Sequence, residues 1–326
     1  MMNKTKKFIF IYVALFLITL SSHYLWTFNY KFQNFIKSLT YKYYSTFGFD
    51  ENKKILSVHF YSKSGIGNRL KKMTSYLRYY KPEKLKIYWP NDGWVSASFS
   101  DLFTFEYPIE LEEINTPILI NNNHPEANPL FDYIRNWVLI VSKEDFPKNV
   151  EPFAIDVMYN NIPQNIRDIY IPYFTSLKPS NKVKKRLNDV KIPSKFVSVQ
   201  IRNAPDFKQW FGVDISYSYF FEIMDKYDSD TYFYLSAMSK EAALPFYTRY
   251  PGRIIELPNK NYKSMIDATT DLFILGSSEE TICSYMSTFC EVAWWINGAK
   301  SKVSIVGTEE KYKNHIVEIK MFDSIP

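Results

Sequence analysis

Histidine and cysteine are scarce. Four histidines and two cysteines in 326 residues leave little from which to build a zinc or similar site, which needs three or four such ligands together. The two cysteines, Cys283 and Cys290, share one apolar stretch. Buried reduced thiols are the expectation there, and they leave the redox compartment unsettled. Glycine is low as well, at 9 residues, while 46% of the chain is hydrophobic and 18% aromatic, which excludes disorder and low-complexity classes. A basic stripe is also lacking. The net charge is +6, but only "VKKRL" (183–187) and "NRLKK" (68–72) cluster, and both read as solvated helix faces. Nucleic acid is therefore not an expected partner. A mildly basic surface suits a nucleotide phosphate or an anionic membrane instead.

What is present begins with an apolar run. "MMNKTKK" precedes "FIFIYVALFLITLSSHYLWTF" (8–28), which has no charge and is long enough to span a bilayer. Lys4, Lys6 and Lys7 suit the cytoplasmic side, and Tyr24 and Trp26 the far interface. No small-residue cleavage site follows, so an uncleaved single-pass type II anchor is expected ahead of a cleaved signal. The expected organisation is a cytoplasmic tail at 1–7, an anchor at 8–28, a stem at 29–53, and globular halves at 54–190 and 191–326.

The globular part opens with a strand at 54–61, a glycine loop "SKSGIGN" (62–68), a helix at 69–80 and a strand at 84–90. That is a βαβ unit. A proline-bounded helix within 178–195 leads into the second half. There, strands at 196–202, 231–236, 253–257, 281–285 and 302–306 alternate with helices near 216–226, 239–249, 262–275 and 288–297. Such alternation predicts an α/β fold with parallel sheets covered on both faces.

Arg202 ends the first strand of the second half. A strand-tip arginine is costly unless an anion or an acid meets it, and ligands of open α/β sheets bind beyond the carboxyl ends of the strands. Ser287 and Thr288 stand where a strand gives way to a helix, a ready anion site. Gly65 and Gly67 permit close backbone approach. The plainer alternatives are an ion pair of Arg202 with Asp206 or Asp214, ordinary caps at Ser287 and Thr288, and a tight turn at Gly65 and Gly67. "DSD" (228–230) precedes a strand and reads as a loop, His59 and His124 have no evident partners, and "EVAWWI" (291–296) reads as packing.

Taken in order, "GIGNRL", "VSVQIRN" and "DLFILGSSEETICSYMSTFCEVAWW" resemble the GDP-fucose glycosyltransferases, in particular the α1,6-fucosyltransferase and nodulation-fucosyltransferase group. The resemblance spans roughly residues 54 to 306. It implies a GT-B-like fold of two Rossmann-like domains with a cleft between them. It also implies inverting, metal-independent transfer from a GDP-sugar, most often GDP-fucose, to a glycan hydroxyl. By the same resemblance Arg202 meets the β-phosphate, Asp271 reads guanine, Ser287 and Thr288 contact phosphate, and Gly65, Gly67 and Asn68 face the donor. Asp206, then Asp214, are the expected general bases. Gln200, Asn203, Ala237 and Met238 depart from the family pattern. A membrane-anchored sulfotransferase and a non-catalytic nucleotide- or glycan-binding relative are the alternatives. In a eukaryote such an anchor and stem imply the Golgi lumen.

Overall fold

The computed structural model describes residues 47–50, 52–60, 64–115, 139–142, 162, 164–202, 216–285, 287–306 and 319–322. In chain order these form β1 (Phe47–Asp50), β2 (Ile55–His59), α1 (Ile66–Tyr80), β3 (Lys84–Tyr88), α2 (Phe99–Leu102), β4 (Phe103–Phe105) and β5 (Glu110–Ile114). There follow β6 (Leu139–Ser142), α3 (Gln164–Thr175), β7 (Leu177–Pro179), α4 (Asn181–Leu187), β8 (Val197–Ile201), α5 (Tyr217–Met224) and β9 (Phe233–Ala237). The last elements are α6 (Lys240–Arg249), β10 (Ile254–Ile255), α7 (Met265–Leu275), β11 (Glu280–Ser284), α8 (Thr288–Ile296), β12 (Lys302–Val306) and β13 (Ile319–Phe322).

The larger sheet has the order β10-β9-β8-β11-β12 with every pair parallel. Its central strands show why. All five residues of β8 and all five of β9 are buried, as expected of strands covered on both faces. The chain starts in the middle at β8, walks outward to β10, then returns to place β11 on the other side of β8. This is a doubly wound sheet whose order reverses between β8 and β11. The smaller sheet, β1-β2-β3-β5, is parallel except for β1. That strand lies inside the stretch expected to be stem: Phe47 pairs with Val58 and Asp50 with Ile55. Its four residues are too short for a periodic signal.

Serine hydroxyls open most of the helices. Ser98, Ser180, Ser216, Ser239, Ser264 and Ser287 each accept a hydrogen bond from a backbone N–H in the first turn that follows, satisfying a donor that helix geometry leaves free. Helix α1 differs. It starts on Gly65, which has no side chain to cap it.

The two halves share a core. Leu272, Leu275, Val292, Ala293, Trp294 and Trp295, from α7 and α8, pack in the same cluster as Leu56, Val58, Leu70 and Phe174 of the amino-terminal half. Trp295 stacks on Phe174 with ring centroids 5.6 Å apart. The "EVAWWI" segment is thus packing, as its helical spacing requires. The aspartates of "DSD" sit in the turn before β9. Among the described residues no helix is long and apolar enough to cross a membrane. The expected anchor, 8–28, lies outside the described residues.

Candidate active site

The order reversal between β8 and β11 sets the site. Parallel neighbours end at the same edge, so the residues that follow β8 and β11 emerge side by side. Arg202 follows β8 directly, and its backbone N–H donates to Ser284 Oγ at 2.7 Å. Ser284, the last residue of β11, donates in turn to the Gln200 carbonyl at 3.1 Å. Three residues later Ser287 caps α8 by accepting from the Cys290 N–H at 3.3 Å. Ser287 is buried and Thr288 half-buried. The N–H groups of Thr288 and Phe289 precede the first intrahelical bonds and have no helical partner.

The glycine loop meets this point from the other half. A Cβ placed on Gly67 would stand 2.7 Å from the carbonyl carbon and oxygen of Thr288 and 2.9 Å from the Phe289 nitrogen. Only hydrogen fits there. One turn further along both helices, Lys71 Nζ donates to Glu291 Oε2 at 2.6 Å, with both side chains 1% exposed. Glu291 Oε1 accepts from Trp295 Nε1 at 3.3 Å. Gly67 against Thr288 and Lys71 against Glu291 mean that α1 and α8 run side by side in the same direction. Their amino-termini, each carrying a partial positive charge, lie together. No acidic residue stands in the first turn of α1. Ser64 Oγ, Asn68 Oδ1 and Gln200 Oε1, in the same segments, are buried without a hydrogen-bond partner.

Gly67 thus touches Thr288, and the Arg202 backbone is bonded to Ser284, three residues before the Ser287 cap. Asp271 is different. It lies on α7, only 2% exposed. Its Oδ1 accepts from the Tyr234 hydroxyl at 2.6 Å, and its Oδ2 accepts from Ser236 Oγ at 2.9 Å and faces Lys260 Nζ at 2.8 Å. Burial raises its pKa, with Lys260 opposing. Both carboxylate oxygens thus have partners inside the chain. Lys260 also reaches Glu256 Oε1 at 3.2 Å, and Glu256 accepts from Tyr247 and Tyr262. The expected bases Asp206 and Asp214, with Asn203, lie outside the described residues, as does His124.

Two sequence expectations fail here for physical reasons. "NRLKK" is not a solvated face. Arg69, Lys71 and Lys72 are all buried. Arg69 donates to the Ser64 carbonyl at 2.9 Å, the Pro90 carbonyl at 2.7 Å and Asp92 Oδ2 at 2.9 Å. Burial lowers its pKa and Asp92 opposes that change. Lys72 lies 5.6 Å from the Tyr76 ring centroid, and burial brings its pKa down to about 7. Second, Cys283 and Cys290 are joined by a disulfide with Cα atoms 6.1 Å apart. The bridge ties the end of β11 to the first turn of α8 and encloses Ser284, Ser287 and Thr288. A surface cavity of about 780 Å³ lies at the other end of α8, lined by Gln164, Arg167, Lys178 and Lys300 among others, and shares nothing with this point.

No family model matches the chain, and no curated protein does. Solved structures similar to it include the NodZ α-1,6-fucosyltransferase soaked with GDP-fucose, at 14% identity and TM-score 0.47, covering 74% of this chain and 91% of that one. POFUT1 in its apo form is similar at 12% identity and TM-score 0.49, with 80% and 100% covered. An Arabidopsis thaliana FUT1 mutant in complex with GDP is similar at 12% identity and TM-score 0.43, with 87% and 78% covered.

Proposed function

We propose that the protein is a fucosyltransferase-like glycosyltransferase that moves a sugar, fucose in the first instance, from a GDP-sugar to a glycan hydroxyl with inversion and without a metal. The observation that carries this is the pairing of two helix amino-termini, α1 and α8, beside Arg202 at the order reversal of a doubly wound sheet. Like partial charges brought together repel, and a diphosphate between them turns that repulsion into binding. The three-part motif resemblance supplies the identity of the nucleotide.

In this reading the acceptor hydroxyl attacks the anomeric carbon, the glycosidic bond to the β-phosphate oxygen breaks, and GDP leaves with the electron pair. Charge grows on the β-phosphate in the transition state. Arg202 and the N–H groups of Thr288 and Phe289 are fixed donors placed for that charge, where they lower a barrier most. Their dipoles take the part a metal plays in other transferases. The hydroxyl proton goes to a general base, for which Asp206 and then Asp214 remain the proposals. The guanine edge is not assigned to Asp271. We further propose that residues 8–28 anchor the chain, with the transferase part outside the cytoplasm.

The test is a thermal-shift panel with GDP, UDP and 3′-phosphoadenosine 5′-phosphosulfate. GDP is expected to raise the melting temperature and UDP to do so less. A shift with the phosphosulfate alone would replace this reading by a sulfotransferase, and no shift with any of the three would remove the nucleotide.

A further inference from the structure

Strands β2 and β3 run parallel, so the segments that follow them leave the sheet at one edge. The segment after β3 reads Asn-Asp-Gly-Trp-Val-Ser over 91–96. It is held in one shape. Asp92 Oδ1 accepts from the backbone N–H groups of Trp94 at 2.8 Å and Val95 at 3.0 Å, and the Asp92 N–H donates to the Val95 carbonyl at 3.1 Å. Asp92 Oδ2 accepts from Arg69, whose other nitrogens hold the carbonyls of Pro90 and Ser64. A single buried guanidinium thus ties this loop to the Gly65 segment. Val95 is fully buried beneath it, and Trp89 nearly so.

On this fixed backbone Trp94 stands 46% exposed. Among the described residues the other large exposed apolar side chains are Tyr232, Met238, Leu244 and Tyr247, all in the carboxyl-terminal half. Asn91, Gly93 and Ser96 are exposed beside Trp94, and a Cβ on Gly93 would meet nothing within 4 Å. An indole on a rigid loop spends little conformational entropy when it is covered. A flat aromatic face flanked by one amide, one hydroxyl and open space matches a pyranose ring. A sugar ring laid on the indole by its C–H groups would have the exposed Asn91 and Ser96 of the same short loop for its hydroxyls.

We propose that Trp94, with Asn91 and Ser96, forms a subsite for a sugar ring of the acceptor glycan. The proposal rests on the glycosyltransferase reading and gives it an acceptor side. Arg69 holds the Trp94 loop at a fixed offset from Gly65, and Gly67 touches the helix start at which the donor phosphates are proposed to sit.

The full chain is tested with lactose, maltose and N,N′-diacetylchitobiose as probes, by saturation-transfer NMR and titration, with GDP thermal shifts run in parallel. At least one probe is expected to bind through its ring C–H groups. Trp94→Ala should weaken that binding about tenfold or more, the scale for removing an aromatic anchor, and Trp94→Tyr should restore most of it. The GDP response should be the same in all three proteins, which also confirms folding. Equal probe affinity in Trp94→Ala, or no binding of any probe to the unaltered protein, overturns the subsite. A Trp94-dependent sugar response in a protein that ignores GDP removes the nucleotide reading and leaves the subsite standing.

Discussion

At the scale of single residues, two substitutions separate ligand contact from architecture. Arg202→Ala should lower turnover about a hundredfold or more, the effect of losing one aimed donor, and weaken GDP binding. Melting temperature and GDP affinity measured on the same sample decide the matter: a destabilised protein that binds GDP normally would make Arg202 a structural residue. Asp271→Asn should behave in the opposite way. It strands Lys260, 5% exposed, with only Glu256 as a counter-charge. The expected loss is about 3–5 kcal/mol of stability, as for breaking a buried pair, read as a fall in the denaturation midpoint. Unchanged stability with weakened GDP binding would restore Asp271 to the base pocket. The strand-end position of Arg202 and the helix-start positions of Ser287 and Thr288 were legible because a charged or hydroxylic residue at such an end is a local pattern. The burial of Lys71 was not legible, because its partner Glu291 lies 220 residues away.

At the scale of elements, the contact of α1 with α8 is the feature to disturb. Gly67→Ala places a methyl group within the backbone of Thr288, and backbone cannot swing aside as a side chain can. The helices must part. A cost of about 1–3 kcal/mol is expected for overpacking, together with loss of GDP affinity, because both helix starts proposed to face phosphate move. Full GDP affinity in a destabilised Gly67→Ala protein would show that the site does not depend on the pairing. The strand–helix alternation of the second half was readable to within two residues at most ends, since long buried strands and serine caps both leave marks in the sequence. Helix α3 went unread although Ile166, Ile169, Tyr170, Tyr173 and Phe174 recur at helical spacing, because Pro172 inside it argues against a helix interior. The reversal of strand order is also invisible in sequence. It follows from which strand β11 pairs with, a contact between residues far apart along the chain.

For the molecule as a whole, Lys72 makes stability depend on pH. Its ammonium group titrates at about 7 when folded, against 10.5 for an ordinary lysine. Between those values the unfolded chain holds the extra proton, so stability rises with pH across the window. Below about 7 both states are protonated and the full cost of burying the charge is present. Lys72→Met should therefore raise the melting temperature more at pH 6.5 than at pH 9.5, a tenfold change in proton affinity being worth about 1.4 kcal/mol. An equal gain at both values would mean that the amine reaches water.

The Cys283–Cys290 bridge has a consequence for where such a chain can keep its shape. Its short loop contributes about 2–3 kcal/mol by chain entropy, a modest share, yet the residues it encloses are the ones proposed to face phosphate. In a glutathione-poised compartment that loop relaxes to two thiols. The bridge is thus a mark of topology that can be read without any substrate. A maleimide that labels denatured protein from whole cells only after dithiothreitol treatment is expected, and it would place the bridged part of the chain in an oxidising compartment. Labelling without reductant would place it in a reducing one, with the proposed phosphate turn held by packing and the Ser287 cap alone.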